Sequence, residues 1–216
     1  MAKNGLKDML KLSFGEEVFN AVSHGVMILV MLCLIPFGAV YSYTVGGTLR
    51  AVGVSIFTIC IFLMFLSSTL YHTMAFDSPH KVVFRILDHI CIYLAIAGSY
   101  TPVALCVIQG WEGTVILIIQ WLMVFIGILY KTLSPKSLPK LSLTIYLVMG
   151  WSVILFLPVL LRSANFTFLM WIVAGGLLYS VGAYFYSRKW AYAHAIWHIF
   201  IALASICHLI GIIFYM

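Results

Sequence analysis

The sequence predicts an all-α integral membrane protein: a bundle of seven transmembrane helices, N-terminus cytoplasmic and C-terminus outside. Three observations carry that expectation. The 216 residues are 64% hydrophobic and 8% charged, whereas soluble domains are about 45–50% apolar and about 25% charged. The apolar residues gather into stretches of the ~20 residues that a bilayer core requires. The connections between these stretches are short and polar, and ten of the twelve Lys and Arg fall on one side of an alternating count. No soluble core could bury so much apolar surface, so the solvent is lipid.

The chain reads as one domain, residues 1–216, opening on a short cytoplasmic segment, 1–18. That segment carries Lys3, Lys7, Asp8, Lys11, Glu16 and Glu17 and shows no apolar stretch followed by a small-residue cleavage site, so no cleavable signal peptide is expected. Apolar spans follow at 19–43, 52–72, 86–107, 113–130, 141–161, 166–186 and 190–215. Pro36, Pro102 and Pro158 fall inside spans, where neighbouring helices accommodate a kink, and they are read as packing geometry. With the N-terminus inside, the cytoplasmic segments hold Lys3, Lys7, Lys11, Lys81, Arg85, Lys131, Lys136, Lys140, Arg188 and Lys189; only Arg50 and Arg162 remain outside. All these loops are short, which is where the positive-inside rule sets orientation. The net charge of +6 therefore reports topology, and no nucleic-acid partner is expected.

Against this apolar background a few ionisable residues stand out, and such residues inside a bilayer mark function by default. They are Ser68-x-x-x-His72, Asp88 and His194-x-x-x-His198. Two His at i, i+4 share a helix face with Cβ atoms about 5–6 Å apart, close enough to hold one ion. A third His from another helix would complete a three-ligand catalytic zinc shell with an open position for water. The alternating topology puts His72 at the inner end of the second span and Ser68 one turn deeper. Asp88 falls near the inner start of the third span, and His194 and His198 in the first two turns of the seventh. All five converge on one depth in the inner leaflet. The competing structural reading has His72 reaching to the interface and Asp88 pairing with a nearby Lys or Arg.

The other histidines carry less. His24, in Ser23-His24-Gly25, is either a support for the site or an interfacial residue. His80, beside Pro79, is expected in a solvated loop. His89 lies about 100° around the helix from Asp88, and His208 lies about 15 Å along the axis from His198, where an interhelical hydrogen bond is expected. Cys33, Cys60, Cys91, Cys106 and Cys207 lie inside spans with no C-x-x-C spacing and read as packing residues. Nucleotide-binding and α/β-hydrolase motifs are absent. So is His-Glu-x-x-His, because Ala195, Ile196 and Trp197 separate His194 from His198. A general base must then come from another helix, and Asp88 is the one carboxylate inside a predicted span.

Seven spans with Glu17…Asn20…Ser23-His24-Gly25, Ser68-x-x-x-His72, Leu87-Asp88-His89, Gly98-Ser99-Tyr100-Thr101-Pro102 and a closing His194-x-x-x-His198 resemble the haemolysin III family. That family is the bacterial branch of the progestin and adipoQ receptor superfamily. The likeness runs from about Glu16 to His208. It implies that His72, His194 and His198 bind zinc, that Asp88 holds the zinc-bound water, and that Ser68 lines the site. The superfamily is similar in these residues to the alkaline ceramidases, which hydrolyse lipid amides. The extended N-terminal domain of the adiponectin-receptor branch is not seen, so hormone signalling is not implied.

The expected chemistry is metal-assisted hydrolysis of a membrane lipid amide or ester in the inner (plasma) membrane, with Zn²⁺ as cofactor and lipid as partner. Asp88 is assigned as general base and Ser68 as hydrogen-bond donor to the developing oxyanion. One alternative is a non-enzymatic sensor or regulator of membrane lipid in which zinc only pins helices together, a role that four protein ligands would favour. A haemolysin-like pore ranks below it, because the polar residues form no continuous lumen-facing stripe. An isomerase or a proton-coupled transporter stays open, although no internal repeat is visible. Neither substrate nor oligomeric state is encoded in a readable motif.

Overall fold

The computed structural model describes residues 11–134 and 138–216, and every regular element among them is a helix. Lys3, Lys7 and Lys136, which entered the orientation count, lie outside the described residues. The first helix, α1 (Phe14–Thr73), runs for 60 residues. As a straight rod it would reach about 90 Å, three times the ~30 Å of a bilayer core. It does not run straight. Gly47, at φ 72° and ψ −167°, adopts a backbone conformation essentially closed to residues with a Cβ, and the chain turns back there.

Contacts across the bend bracket Gly46 and Gly47 almost symmetrically. Glu17 meets His72, Ala21 meets Thr69, His24 meets Ser68, and Gly38 lies against Val54. The two arms, 14–46 and 48–73, are therefore antiparallel, and each is long enough to cross a membrane. Sequence reading put a seven-residue loop between the first two spans. The structure keeps most of it helical and concentrates the reversal at Gly47.

The remaining rods follow in order. Helix α2 (Pro79–Val103) continues through a π-helical turn, Ala104–Ile108. Pro102 has no N–H to give, and the ladder is looser immediately beyond it. Then come α3 (Gly110–Leu133), α4 (Pro139–Trp151), a 3₁₀ stretch Ser152–Phe156 and α5 (Leu157–Ser163). The span expected at 141–161 is thus interrupted in its middle. Pro158 falls just after the break, in the first turn of α5, where its missing N–H costs nothing. Last are α6 (Phe166–Tyr186) and α7 (Ala193–Ile210), the latter extended by a π turn, Gly211–Tyr215. The seventh span begins at Ala193 rather than Trp190, because Tyr192 sits at φ 63°, outside the helical region.

Among the described residues six stretches are long and apolar enough to cross a membrane, and the first of them, α1, folds back into two arms. Large apolar side chains such as Leu29, Val40, Leu122, Phe125 and Phe166 point outward and stay exposed, the surface that hydrocarbon solvates. The core forms where the second arm of α1 packs on α2, with Phe57, Ile61 and Phe65 against Cys91 and Ala95. Small residues bring the two backbones together. A Cβ at Gly53 would lie 2.9 Å from the Pro102 Cα, and one at Gly98 would lie 2.7 Å from the Cys60 Cβ. Farther round, Gly175 on α6 leaves the space filled by the His208 ring of α7. His208 Nε2 lies 3.2 Å from the Ile172 carbonyl, the interhelical hydrogen bond expected of it.

Candidate metal centre

The centre begins at the N-terminus of α1. Ser13 caps the helix in a capping box with Glu16: its Oγ accepts from the Glu16 N–H at 3.3 Å, and Glu16 Oε2 accepts from the Ser13 N–H at 3.0 Å, an arrangement worth about 1 kcal/mol. The other Glu16 oxygen accepts the Tyr192 N–H at 2.7 Å. One carboxylate therefore ties the start of α1 to the turn that launches α7. His194 follows two residues later, so its depth is set relative to the first arm of α1.

His72 is the penultimate residue of α1, and His194 and His198 occupy the first two turns of α7. Their ring centroids stand 4.9–5.3 Å apart. One nitrogen from each can be chosen so that all three lie within 4.8 Å of one another. His198 is fully buried and His72 nearly so. Nε2 of His72, Nε2 of His194 and both nitrogens of His198 are buried without a hydrogen-bond partner. An unsatisfied buried polar atom costs about 1–3 kcal/mol, so three converging ring nitrogens point to a shared acceptor of lone pairs. Imidazole is a borderline donor that suits zinc among other first-row ions. The residues present fit a metal ion of that kind.

Beside the triad lies a second layer. His24 Nδ1 is 2.8 Å from Ser68 Oγ, and the His24 ring stacks on His198 at 3.8 Å between centroids. His24 is thus buried against the site, which resolves the two readings left open for it. Asp88 is buried on α2, and its carboxyl interacts with the Ser68 hydroxyl. It does not join the set of close ligand atoms. His89 turns away, with Nδ1 2.6 Å from the Arg85 carbonyl, and His80 is exposed. The structure gathers His72, His194 and His198 into one set and places Ser68 and Asp88 on the adjoining cavity with His24, while His80, His89 and His208 stay outside the set.

Glu17 and Lys81 were not anticipated at the centre. Glu17 Oε2 lies 2.6 Å from His72 Nδ1, and Glu17 Oε1 lies 2.8 Å from Lys81 Nζ. A signal for Glu17 was present: Glu17, Asn20 and His24 recur at i, i+3, i+7, one polar face on an otherwise apolar helix. Lys81 offered none, because it reads as one more basic residue in a polar connection.

An apolar cavity of about 290 Å³ lies beside this cluster. His24, Ser68 and Asp88 line it at the centre, and it follows α2 as far as Val103, about 22 Å along the helix axis. Its walls are supplied mainly by Leu, Ile, Val and aromatic side chains from α2, α4, α5, α6 and α7.

The family model for Haemolysin-III related proteins matches residues 12–209. The chain belongs to that family. It is 35% identical over 201 residues to a Hemolysin-3 homolog of Bacillus subtilis, covering 93% of this chain and 94% of the relative. It is 33% identical to Hemolysin-3 of Bacillus cereus, covering 93% and 91%. The human Monocyte to macrophage differentiation factor is 31% identical over 151 residues, covering 67% of this chain and 62% of the relative. This last match agrees with the likeness to the wider progestin and adipoQ receptor superfamily. As a haemolysin-III-related protein with six long apolar helical stretches among the described residues, the chain is a multi-pass membrane protein with a histidine cluster able to hold a metal ion.

Proposed function

We propose that this protein is a zinc-dependent hydrolase of the cytoplasmic membrane that cleaves a lipid amide or ester at the inner leaflet. The observation that carries the reading is that three histidines with unsatisfied ring nitrogens gather beside His24, whose ring stacks on His198 and which lines, with Ser68 and Asp88, one end of a long apolar cavity. His72, His194 and His198 would hold the ion. When bound, it supplies a Lewis acid that makes water nucleophilic near neutral pH.

The remaining work falls to the chain's own residues. Asp88, which lines the cavity with Ser68 and His24 and stands outside the ligand set, would take the proton from the attacking water and return it to the leaving group. Ser68 lies between His24 Nδ1 and the Asp88 carboxyl, so its hydroxyl is engaged from both sides. We therefore assign it to holding Asp88 in place rather than to the oxyanion donation that its sequence position suggested. His24 supports the arrangement from behind, stacked on His198. The apolar cavity receives an acyl chain, and its walls keep bulk water away from the reacting groups. A ligand set of three histidines without Asp88 favours this reading over a purely structural zinc site, which normally has four protein ligands.

Zinc content and release of fatty acid from a panel of lipid amides and esters are to be measured on one detergent-purified preparation. We expect Asp88→Asn to keep its zinc and its thermal stability while hydrolysis falls about 10²–10⁴-fold. A wild-type protein that releases no fatty acid, together with an Asp88→Asn protein that loses zinc and stability at once, would move the site to the sensor reading.

A further inference from the structure

We propose that Glu17 and Lys81 form a positioning pair that presents His72 to the metal in a single tautomer, so that occupancy of the centre depends on an ion pair outside the ligand set. The inference rests on the metal reading above. Its basis is a continuous chain of three buried or half-buried groups. Lys81 Nζ lies 2.8 Å from Glu17 Oε1, and Glu17 Oε2 lies 2.6 Å from His72 Nδ1.

An ionised carboxylate only accepts hydrogen bonds. With Lys81 donating to one oxygen, the bond at the other oxygen requires the His72 proton on Nδ1. Nε2 then carries the lone pair, and Nε2 is the buried, unpartnered atom of that ring, left free to meet an ion shared with His194 and His198. A ligating imidazole generally has its second nitrogen fixed in this way, which settles both tautomer and ring orientation. Neither His194 nor His198 has a carboxylate partner among the described residues.

Lys81 makes the arrangement stiff. Only 1% of it is exposed, and a buried ammonium is retained where a counterion meets it. Its Nζ also lies 4.4 Å from the centroid of the Tyr71 ring, next to His72 in the chain. Glu17 is thus held at both oxygens and cannot rotate away from the imidazole. The pair joins the beginning of α1, its far end and the first turn of α2, three segments that must be in register for the ligand to be presented. Glu17 and Lys81 are positioning residues and touch no reacting atom.

The test uses full-length protein in detergent with ¹⁵N-labelled histidine. Ring nitrogen shifts of metal-free protein report the His72 tautomer, and competition with a chromophoric chelator reports zinc affinity. The variants are Glu17→Gln, Lys81→Met, Lys81→Arg and the Glu17→Gln/Lys81→Met double, in which no buried charge is left alone should a single variant fold poorly. We expect His72 to carry its proton on Nδ1 in the wild type and to populate both tautomers in Glu17→Gln and in the double. Zinc affinity should fall about 10–100-fold in both with binding stoichiometry unchanged. Lys81→Met should weaken zinc in the same direction, and Lys81→Arg should restore most of the loss, which separates the charge from the methylene chain. Wild-type affinity and an unchanged tautomer in Glu17→Gln overturn the proposal. If the wild type takes up no zinc, the metal reading fails on its own, and the His72 tautomer in the metal-free variants still upholds or overturns the positioning.

Discussion

His72, His194 and His198 come from two helices far apart in the chain, and each brings to the same few ångströms a nitrogen that no protein group satisfies. Removing one imidazole from a three-histidine set leaves two ligands, too few to hold zinc against water and buffer. We predict that His72→Ala, His194→Ala and His198→Ala each lose most of the about one zinc per chain expected of the wild type, as measured by elemental analysis of purified protein. Full zinc in all three variants would contradict the assignment. These residues were legible in the sequence because ionisable groups stand out in an apolar chain and because i, i+4 spacing has a fixed meaning on a helix. Glu17 and Lys81 were not legible, because their contacts join positions 55 and 64 residues apart and depend on how the first arm of α1 meets the start of α2. Ser68 was found, but its engagement by both His24 and Asp88 needed coordinates to see.

The element that most shapes the centre is α1, whose two arms bring Glu17 and His24 beside His72 and Ser68. That alignment depends on the reversal at Gly47. Any residue with a Cβ is strained at φ 72° and ψ −167°, at a cost of about 1–3 kcal/mol. Space is not the obstacle, since a Cβ there would meet nothing within 4 Å. We predict that Gly47→Ala lowers thermal stability in detergent by that amount, whereas Gly150→Ala, also with open space but inside a regular helix, does not. Equal effects from the two would show that the bend is not strained in the way described. Hydrophobic run lengths were enough to find the spans but not their irregularities. The 3₁₀ break at Ser152–Phe156 lies inside an unbroken apolar run, and its residues differ little from their helical neighbours. The start of α7 moved by three residues because the conformation of Tyr192 is set by the Glu16 carboxylate that accepts its N–H, a tertiary effect.

For the molecule as a whole, orientation decides which side of the membrane supplies water to the site. From the Lys and Arg bias we expect the start of α4 inside and the start of α3 outside. In a background with the five native cysteines replaced by alanine, we predict that a cysteine at Lys140 reacts with an impermeant maleimide only after the cells are opened. A cysteine at Trp111 should react in intact cells. The reverse pattern would place the histidine cluster at the outer leaflet. The bundle and its cluster were recoverable from composition, charge alternation and spacing together, whereas the cavity was not. It is enclosed between α2, the broken α4–α5 rod, α6 and α7, and no local pattern in 143–161 records that.

The central claim is that the ion is needed for chemistry on a lipid. The most direct measurement is fatty-acid release by a single preparation assayed as purified, after removal of metal by a chelator, and after zinc is returned. We predict that release stops on chelation and recovers when zinc is restored, with the helical content unchanged throughout. Release at the same rate in all three states, or none in any of them across the lipid panel, would contradict it.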